Sequence, residues 1–176
     1  VTANGGVDVQ IFGEHNLQNL SGAMLLCKQL GLTDEQFYTA IAQFKGAAKR
    51  LELLGKNETT AVYKDFAHAP SKLSATIKAV REQFPERKIV AVLELHTFSS
   101  LNKEFISNYA GTMDEADDAI VYFNPQVVHN KKLEAISEKD LVLAFTRNDL
   151  SVYTNSDQLF ESLATKDFSR HVLLFM

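Results

Sequence analysis

The stretch Ile89-Val-Ala-Val-Leu93 decides the fold of this chain. All five residues are apolar, with no alternation between apolar and polar side chains. A strand of this kind is typical of the centre of a sheet that is covered on both faces. We therefore predict a buried strand over residues 88–95 and build the rest of the fold around it.

Strands and helices alternate along the chain around that stretch. This alternation favours an α/β fold with a Rossmann-like, mostly parallel sheet and helices on both faces. Further strands are predicted at 50–54, 60–66, 118–123, 150–153 and 170–175. Helices are predicted at 71–83, 100–110, around 131–135, just after 137, and at 156–164.

The first part of the chain, up to residue 46, has a different pattern of predicted elements. Residues 7–12 alternate apolar and polar side chains, which predicts a short strand. Residues 17–30 carry apolar side chains at three- and four-residue steps, and Gly31 stands where a C-cap glycine belongs, so a helix is predicted there. Thr33 and Gln36 have the spacing of a capping box, which starts a second predicted helix that ends near 45–46.

A change of rhythm at Gly46 predicts a domain boundary. Strand–helix alternation begins only after it, so we expect residues 1–47 to be an incomplete helical piece and residues 48–176 to be an α/β domain. The chain opens on Val1 and closes inside an apolar run, residues 171–176. From these two ends we expect a piece of a longer protein.

Composition argues against several classes of partner. The 176 residues carry a formal net charge of −4, which gives no electrostatic reason to expect nucleic acid or an anionic membrane. No apolar stretch approaches the roughly 18 residues that are needed to span a bilayer. The single cysteine, Cys27, cannot form an internal disulfide and suits a reducing cytoplasm.

Polar residues gather between the first predicted strand and the first helix. Asn16 and Asn19, which follow His15, are three residues apart and so face the same way in a helical turn. Two neighbouring carboxamides offer both donors and acceptors, which matches the edge of a purine base. The alternative is that Asn16 caps the helix and Asn19 is a surface residue. The local pattern leaves both interpretations open.

Two further clusters carry groups that could bind a nucleotide. Lys49 and Arg50 form a cationic pair at the predicted boundary, able to hold a phosphate chain or simply to be solvated. Asp65 ends a predicted strand at the carboxyl edge of the sheet, where ligands of open α/β sheets bind. A carboxylate there can accept hydrogen bonds from both ribose hydroxyls. The alternative is that Asp65 caps the following turn and that His68 is an ordinary loop residue.

The loop after the central strand forms a fourth cluster at the same edge. Glu94 and His96 leave the strand, and the loop continues to Ser100. An imidazole beside a carboxylate suits a metal site or an acid–base pair. Because no third residue has the spacing of a metal ligand, we reject the metal site, and substrate recognition by this loop stays open.

Taken in order, these clusters resemble the Mur ligases, which attach amino acids or peptides to a UDP-N-acetylmuramate carrier during peptidoglycan synthesis. The family's His-Asn-x-x-Asn signature is matched at residues 15–19, and its basic pair by Lys49 and Arg50. Its Asp-aromatic-Ala-His-x-Pro turn is matched at residues 65–70. The resemblance covers the chain from Gly13 onward.

The resemblance implies a role for each cluster. Asn16 and Asn19 would bind adenine, with His15 packing near the base. Arg50 would contact the phosphates of ATP, and Asp65 would bind the ribose. In such enzymes ATP phosphorylates the carboxylate of the carrier, and the amine of the donor attacks the acyl phosphate.

The resemblance also implies a surface for the amino donor, made by His68, Glu94, His96 and Ser100. The family's phosphate-binding loop and the ligands of its Mg²⁺ are absent from this sequence. We expect them in missing N-terminal and central domains of the same chain, of which residues 1–47 would be the last part. This piece alone is not expected to be active.

The identity of the amino donor depends on fewer residues. Alanine-adding members usually place arginines in the loop after the central strand, and this chain has no arginine between Arg87 and Arg147. That absence favours the branch that joins the murein tripeptide L-alanyl-γ-D-glutamyl-meso-diaminopimelate to UDP-N-acetylmuramate during peptidoglycan recycling. Addition of L-alanine is the alternative.

Two functions from other classes are alternatives to the ligase. A phosphoacceptor receiver domain fails, because the first strand of the α/β part ends at Gly55-Lys56 and not at an acidic pair. A non-catalytic nucleotide-binding or interaction module stays open. Two departures from the family pattern bear on it: Lys64 stands where many members have a second Asp, and Ala69 where many have a second His.

Overall fold

The computed structural model describes residues 5–176. A 3₁₀-helix, Ile106–Tyr109, lies between the strands Lys88–Leu95 and Asp118–Phe123. Among the described residues, no helix combines the length and the apolar character that crossing a bilayer requires. In chain order the other elements are α1 (Glu14–Gln29), α2 (Asp34–Ala42), β1 (Glu52–Lys56), β2 (Ala61–Lys64), α3 (Pro70–Gln83), β3 (Lys88–Leu95), β4 (Asp118–Phe123), α4 (Pro125–Asn130), α5 (Glu138–Phe145), β5 (Ser151–Tyr153), α6 (Ser156–Ala164) and β6 (His171–Phe175).

The six strands form one sheet in the order β1-β2-β6-β3-β4-β5. Only the edge strand β1 pairs antiparallel, with β2, and all other neighbours are parallel. β3 lies inside the sheet, between β6 and β4, and residues 89–91 and 93 are completely buried. The predicted α/β fold with a mostly parallel sheet is confirmed.

Helices cover both faces of the sheet, which explains the unbroken apolar run in β3. Ile89, Ala91 and Leu93 face the larger core, which includes side chains from α3 and α5. Val90 and Val92 face the opposite side and pack with α6. Because successive residues of a strand point to opposite faces, both sets must be apolar when both faces are covered.

The predicted strand at residues 7–12 is wrong, since these residues lie in no strand. The alternation does report burial: the apolar side chains of the segment are partly buried, while Asp8 and Gln10 are exposed. Phe12 packs edge-on against Tyr63 and Phe84, with ring centroids 5.5 and 6.1 Å apart. Alternation thus marked the inward side chains, but it cannot show whether a neighbouring strand is available for pairing.

The predicted helix at 100–110 is also wrong. The chain there forms turns that lead into the short 3₁₀-helix Ile106–Tyr109. The side-chain Oδ1 of Asn102 accepts the N–H groups of Glu104 and Phe105 at 2.9 and 3.1 Å. This is the bonding pattern of a helix N-cap, but only turns and a single 3₁₀ turn follow it here.

The helix predicted around 131–135 lies earlier in the chain, at α4. Asn124 caps α4 by accepting the N–H of Gln126 at 2.9 Å, and Pro125 occupies the first turn. The chain leaves the helix at Lys132, which has a φ of 54°. The cap and the proline were the signals in the sequence that should have placed this helix.

α1 and α2 precede the sheet. The capping box of Thr33 and Gln36 is confirmed, as is the left-handed Gly31 after α1, whereas α2 ends at Ala42, earlier than predicted. α1 buries none of its residues completely, and Leu25 and Leu26 are more than half exposed. The division of the chain near residue 48 stays a prediction.

Candidate functional site

All five residues predicted to bind the nucleotide line one cavity of about 370 Å³. They come from the start of α1, from the segment before β1, and from the end of β2, and the first half of α3 closes the cavity. We call this the nucleotide cavity. Its lining residues are His15, Asn16, Asn19, Arg50, Asp65, Ser71, Lys72, Ala75 and Thr76.

A second cavity of about 390 Å³ shares the residues Asn16, Asn19 and Arg50 with the first. Its remaining walls are mostly apolar and come from the segment before α1, from α1 and α2, and from the loop after α2; they include Ile11 and Phe44. A purine needs apolar contact on its flat faces and polar partners along its edges. The two carboxamides stand where a polar and an apolar space meet, which suits such a ring.

Gly13 sets the position of Asn16. It has a φ of 89°, and a Cβ at this position would lie 2.6 Å from the Cβ of Ala79 in α3. Only glycine lets the chain pass α3 this closely in this conformation. The Nδ2 of Asn16 donates to the carbonyl of Phe12 at 2.9 Å, and the N-cap of α1 is Gly13, without a side-chain cap. The interpretation of Asn16 as a helix cap is therefore wrong.

Asp65 is buried at the end of β2, with 8% of its surface exposed. Its Oδ2 accepts the N–H of Leu51 at 2.7 Å. Burial raises the pKa of Asp65, an effect that the N–H groups of Leu51 and Phe66 and the nearby side chains of Arg50 and His15 oppose. The N-cap of α3 is Ala69, without a side-chain bond, so Asp65 does not cap that helix.

The residues just before β1 have an unusual backbone. Lys49 and Leu51 have φ values of 56° and 45°, in the left-handed region that non-glycine residues avoid at a cost of about 1–2 kcal/mol each. We call residues 47–51 the junction segment. The carbonyl of Lys49 accepts the N–H of Phe66 at 3.1 Å, and the Asp65 carboxylate holds Leu51 from the other side. The end of β2 therefore fixes the junction segment, which carries Arg50 into the nucleotide cavity.

Two of the residues predicted to face the amino donor, His68 and His96, lie together at the carboxyl edge of the sheet. The ring centroids of His68 and His96 are 6.1 Å apart. The ring centroid of Phe66 lies 4.7 Å from that of His68 and 5.9 Å from that of His96. Glu94, the penultimate residue of β3, is exposed and comes two residues before His96. We call the group of Phe66, His68, Glu94 and His96 the donor surface.

Local hydrogen bonds orient both imidazoles of the donor surface. The Nδ1 of His68 faces the Phe66 carbonyl at 3.2 Å, and the Nδ1 of His96 faces the Glu94 carbonyl at 3.3 Å. A carbonyl only accepts, so each Nδ1 carries the proton in these bonds. The buried Tyr109, whose pKa burial raises to about 12, donates to the backbone carbonyl of His68 at 2.5 Å and anchors the turn.

Ser100 is not brought to this surface. Its side chain is 1% exposed, and its Oγ accepts the N–H and the hydroxyl of Thr97 at 3.0 and 2.8 Å. In this position Ser100 fixes the turn that follows His96. A direct contact between Ser100 and substrate would need the loop to change its conformation.

Sequence reasoning missed the contribution of α3 to the nucleotide cavity. Ser71, Lys72 and Thr76 line it, and Lys72 adds a second cation beside Arg50. The signal was present, because the helix that follows a turn at the carboxyl edge of a sheet begins beside the ligand site. Residues 5–176 contain no group of three or more His, Cys, Asp or Glu side chains placed to hold a metal ion. The cavity thus brings amide, cationic and carboxylate side chains together on its walls.

The sequence of this chain is similar to those of proteins of one known family. Residues 49–176 match the family described as Mur ligase, glutamate ligase domain. The UDP-N-acetylmuramate–L-alanine ligase of Caldanaerobacter subterraneus subsp. tengcongensis is 32% identical over 161 residues, which cover 90% of this chain and 34% of that protein. The chain spans between 18% and 34% of the length of three curated relatives that it matches.

Two solved structures share the fold. The UDP-N-acetylmuramate–alanine ligase MurC of Thermotoga maritima superposes with a TM-score of 0.75 at 20% identity, over 96% of this chain and 35% of that one. The murein peptide ligase of Psychrobacter arcticus superposes with a TM-score of 0.58 at 19% identity, over 97% of this chain and 35% of that one. The family match and the identity to a curated relative together show that this chain belongs to the Mur ligase family.

Proposed function

We propose that this chain is the nucleotide- and donor-binding part of an ATP-dependent ligase that forms an amide bond on UDP-N-acetylmuramate. The observation that carries the proposal is the convergence of five residues, from three separate stretches of the chain, on one cavity. Their side chains supply an imidazole, two amides, a cation and a carboxylate. The amides suit the edge of adenine, the cation suits phosphate, and the carboxylate suits ribose.

The adenine would lie against the apolar wall shared by α1 and α2. Asn16 and Asn19 would bond to its edge, and His15 would pack beside it. The Asn16 amide is already fixed through its Nδ2, so its Oδ1 is presented in one orientation and can accept the exocyclic amino group of adenine.

Asp65 and Arg50 would bind the ribose and the phosphates. The Asp65 Oδ2 is engaged by Leu51, which leaves Oδ1 as the acceptor for a ribose hydroxyl. Arg50 and Lys72 place two cations on the cavity wall, where phosphate oxygens carry charge. The ligands of the Mg²⁺ that accompanies ATP are expected in the part of the enzyme outside this sequence.

The donor surface would receive the amine that attacks the acyl phosphate. Each imidazole donates through Nδ1, so the Nε2 lone pairs of His68 and His96 are acceptors for the N–H groups of an amine. Attack forms the C–N bond, expels phosphate from the acyl carbon, and requires the amine nitrogen to lose a proton. Glu94 adds a negative charge that favours a cationic amine at this surface.

The donor that we favour is the murein tripeptide. A free amino acid presents its carboxylate next to its amine, and binding it calls for a cation on the loop after β3. The cation on that loop among the described residues is Lys103, and Lys103 is paired with Glu134 at 2.9 Å and with Asp140 at 3.5 Å. A longer peptide can place its carboxylates beyond the loop, so it tolerates an uncharged surface near the amine.

The second candidate donor is L-alanine. The observation in its favour is the 32% identity to a protein named as UDP-N-acetylmuramate–L-alanine ligase. The two donors lead to the same chemistry at the carboxylate of UDP-N-acetylmuramate, and they differ only in what lies beyond the amine.

A donor competition decides between these candidates. The protein that contains this chain in full length is supplied with UDP-N-acetylmuramate, MgATP and either donor, and ADP release is followed. We expect kcat/KM for the tripeptide to exceed that for L-alanine by about tenfold or more. A preference for L-alanine would establish the second candidate. Absence of donor-dependent ADP release with a folded protein would instead favour a non-catalytic module.

A further inference from the structure

Glu52, the first residue of β1, has no role in the site described so far. Its Oε2 accepts the N–H of Lys49 at 2.8 Å. On the other side of Arg50, the Oδ2 of Asp65 accepts the N–H of Leu51 at 2.7 Å. Two carboxylates from different parts of the chain therefore hold the two residues that flank Arg50.

These bonds support a backbone that would otherwise relax. Lys49 and Leu51 are both left-handed, and non-glycine residues persist in that conformation only where their surroundings impose it. Arg50 itself donates its N–H to the carbonyl of Ala47 at 3.1 Å. Each N–H from residue 49 to residue 51 thus has an acceptor, and two of the three acceptors are carboxylates.

Unlike the backbone of this segment, the side chain of Arg50 has few partners. It is exposed, and within residues 5–176 its guanidinium forms no ion pair. Its one hydrogen bond there is a long one, 3.4 Å, from Nη1 to the carbonyl of Lys49. The acids beside Arg50 bind backbone and leave the cation available, while Leu51 buries its side chain in the core and anchors the segment.

We infer that Glu52 is a positioning residue, which holds the Lys49 N–H so that the junction segment presents Arg50 to the phosphate chain in the nucleotide cavity. The inference rests on the proposed function for the identity of the anion. Glu52 acts through Lys49 and Arg50 and does not itself touch the nucleotide.

The sign of the effect separates this role from simple electrostatics. A carboxylate close to a polyphosphate repels it, so loss of that charge alone should tighten ATP binding. If Glu52 positions Arg50, its truncation should weaken ATP binding instead. Glu52→Gln keeps an oxygen that can accept the Lys49 N–H but loses the charge, whereas Glu52→Ala loses both.

The test uses the 176-residue chain labelled with ¹⁵N and titrated with ATP and, separately, with adenosine. We expect Glu52→Ala to weaken ATP binding by about three- to tenfold, part of what a charge-assisted contact supplies. Adenosine binding should be unchanged, because adenosine has no phosphate for Arg50. Glu52→Gln should bind ATP at least as well as the unmodified chain, and Glu86→Ala, at an exposed turn, controls for loss of an acidic side chain.

Two further measurements distinguish the inference from the proposed function. Arg50→Ala should lower ATP affinity by at least as much as Glu52→Ala, and the double variant should bind no worse than Arg50→Ala. Unaltered ATP binding in Arg50→Ala would refute the proposed phosphate contact. Separately, amide exchange of Lys49 without ligand should be faster in Glu52→Ala. Retained protection, tighter ATP binding, or an equal loss for ATP and adenosine in that variant would overturn the positioning role.

Discussion

The nucleotide cavity and the donor surface lie along the same edge of the sheet, but they are built in different ways. Side chains from three distant stretches line the nucleotide cavity, and the backbone there depends on left-handed residues held by long-range bonds. The donor surface also joins two stretches of chain, at the ends of β2 and β3, but its imidazoles are oriented locally. Each of its imidazoles is oriented by a carbonyl two residues earlier in the chain.

This difference teaches where each site is vulnerable. A site held by long-range contacts between α1, the junction segment and α3 should fail when any one of these elements shifts. A site oriented by bonds between near neighbours should survive changes elsewhere, and it should respond mainly to changes of its own side chains. The following predictions can break or sharpen this comparison.

The largest effect is expected for Gly13→Ala. A methyl group at residue 13 would collide with Ala79 at 2.6 Å, and a φ of 89° adds strain for any other residue than glycine. We expect a loss of about 2–4 kcal/mol from the packing of α1 against α3, with nucleotide binding reduced beyond detection. Thermal melting and ATP titration would measure the two effects.

Gly22→Ala is the matched control for that substitution. Gly22 lies within α1, and a Cβ there would meet no atom within 4 Å. Alanine should therefore stabilise α1 by about 0.5–1 kcal/mol and leave the cavity intact. Nucleotide binding that survives Gly13→Ala would show that the position of α1 matters less than the comparison requires.

A smaller effect is expected for Asp65→Asn. The amide can still accept the Leu51 N–H, but it offers the ribose a neutral acceptor in place of a charged one. We expect KM for ATP in the full-length enzyme to rise about tenfold, with KM for UDP-N-acetylmuramate and the donor little changed. Steady-state kinetics beside a thermal melt would test this. An unchanged KM for ATP would refute the ribose contact.

The raised pKa of Asp65 gives the same variant a pH signature. Burial lifts this pKa above the ordinary carboxyl value of about 3.9, so the folded state holds the proton more tightly than the unfolded state. Stability contributed by the protonated group is therefore lost as pH rises from the ordinary value through the raised one. As pH rises between these two pKa values, the melting temperature of the wild type should fall relative to that of Asp65→Asn, which has no carboxyl group to titrate at this position. A difference in melting temperature that does not change with pH would contradict the raised pKa of Asp65.

The smallest effect is expected for Ser100→Ala. Loss of the buried hydroxyl removes an acceptor from the Thr97 N–H, which should cost about 1 kcal/mol of stability. Because Ser100 does not reach the donor surface, KM for the donor should stay within about twofold of the wild-type value. Ser99→Ala, at an exposed hydroxyl on the same turn, is the control. A tenfold rise in donor KM would restore Ser100 as a substrate-binding residue.

The sequence predicted several elements of the core with their bounds, whereas for the nucleotide cavity it predicted the lining residues. The ranges of β3 and β4 were predicted correctly, because burial leaves a clear apolar pattern over a whole strand. The range of α6, which buries only Leu159 and Leu163, was also predicted correctly. The family resemblance named His15, Asn16, Asn19, Arg50 and Asp65, and the structure places all five on one cavity. Their binding roles stay predictions.

The errors concern single segments. The predicted helix at 100–110 forms only turns and the short 3₁₀-helix, although Asn102 makes the bonds of a helix N-cap. The strand at 7–12 failed because alternation records burial, whereas a strand also needs an unpaired neighbour. The inward turn of Ser100 could not be foreseen, since a serine after a strand reaches either solvent or its own loop with equal ease.

The sequence by itself determined the parallel sheet and the types of group available to a ligand. Both follow from the chemistry of side chains and from their spacing along the chain. The tertiary structure alone decided that Glu52 and Asp65 hold the backbone on either side of Arg50, and that Gly13 passes Ala79 without room for a side chain. Such contacts join residues through the path of the backbone in space, and no local pattern of residues records that path.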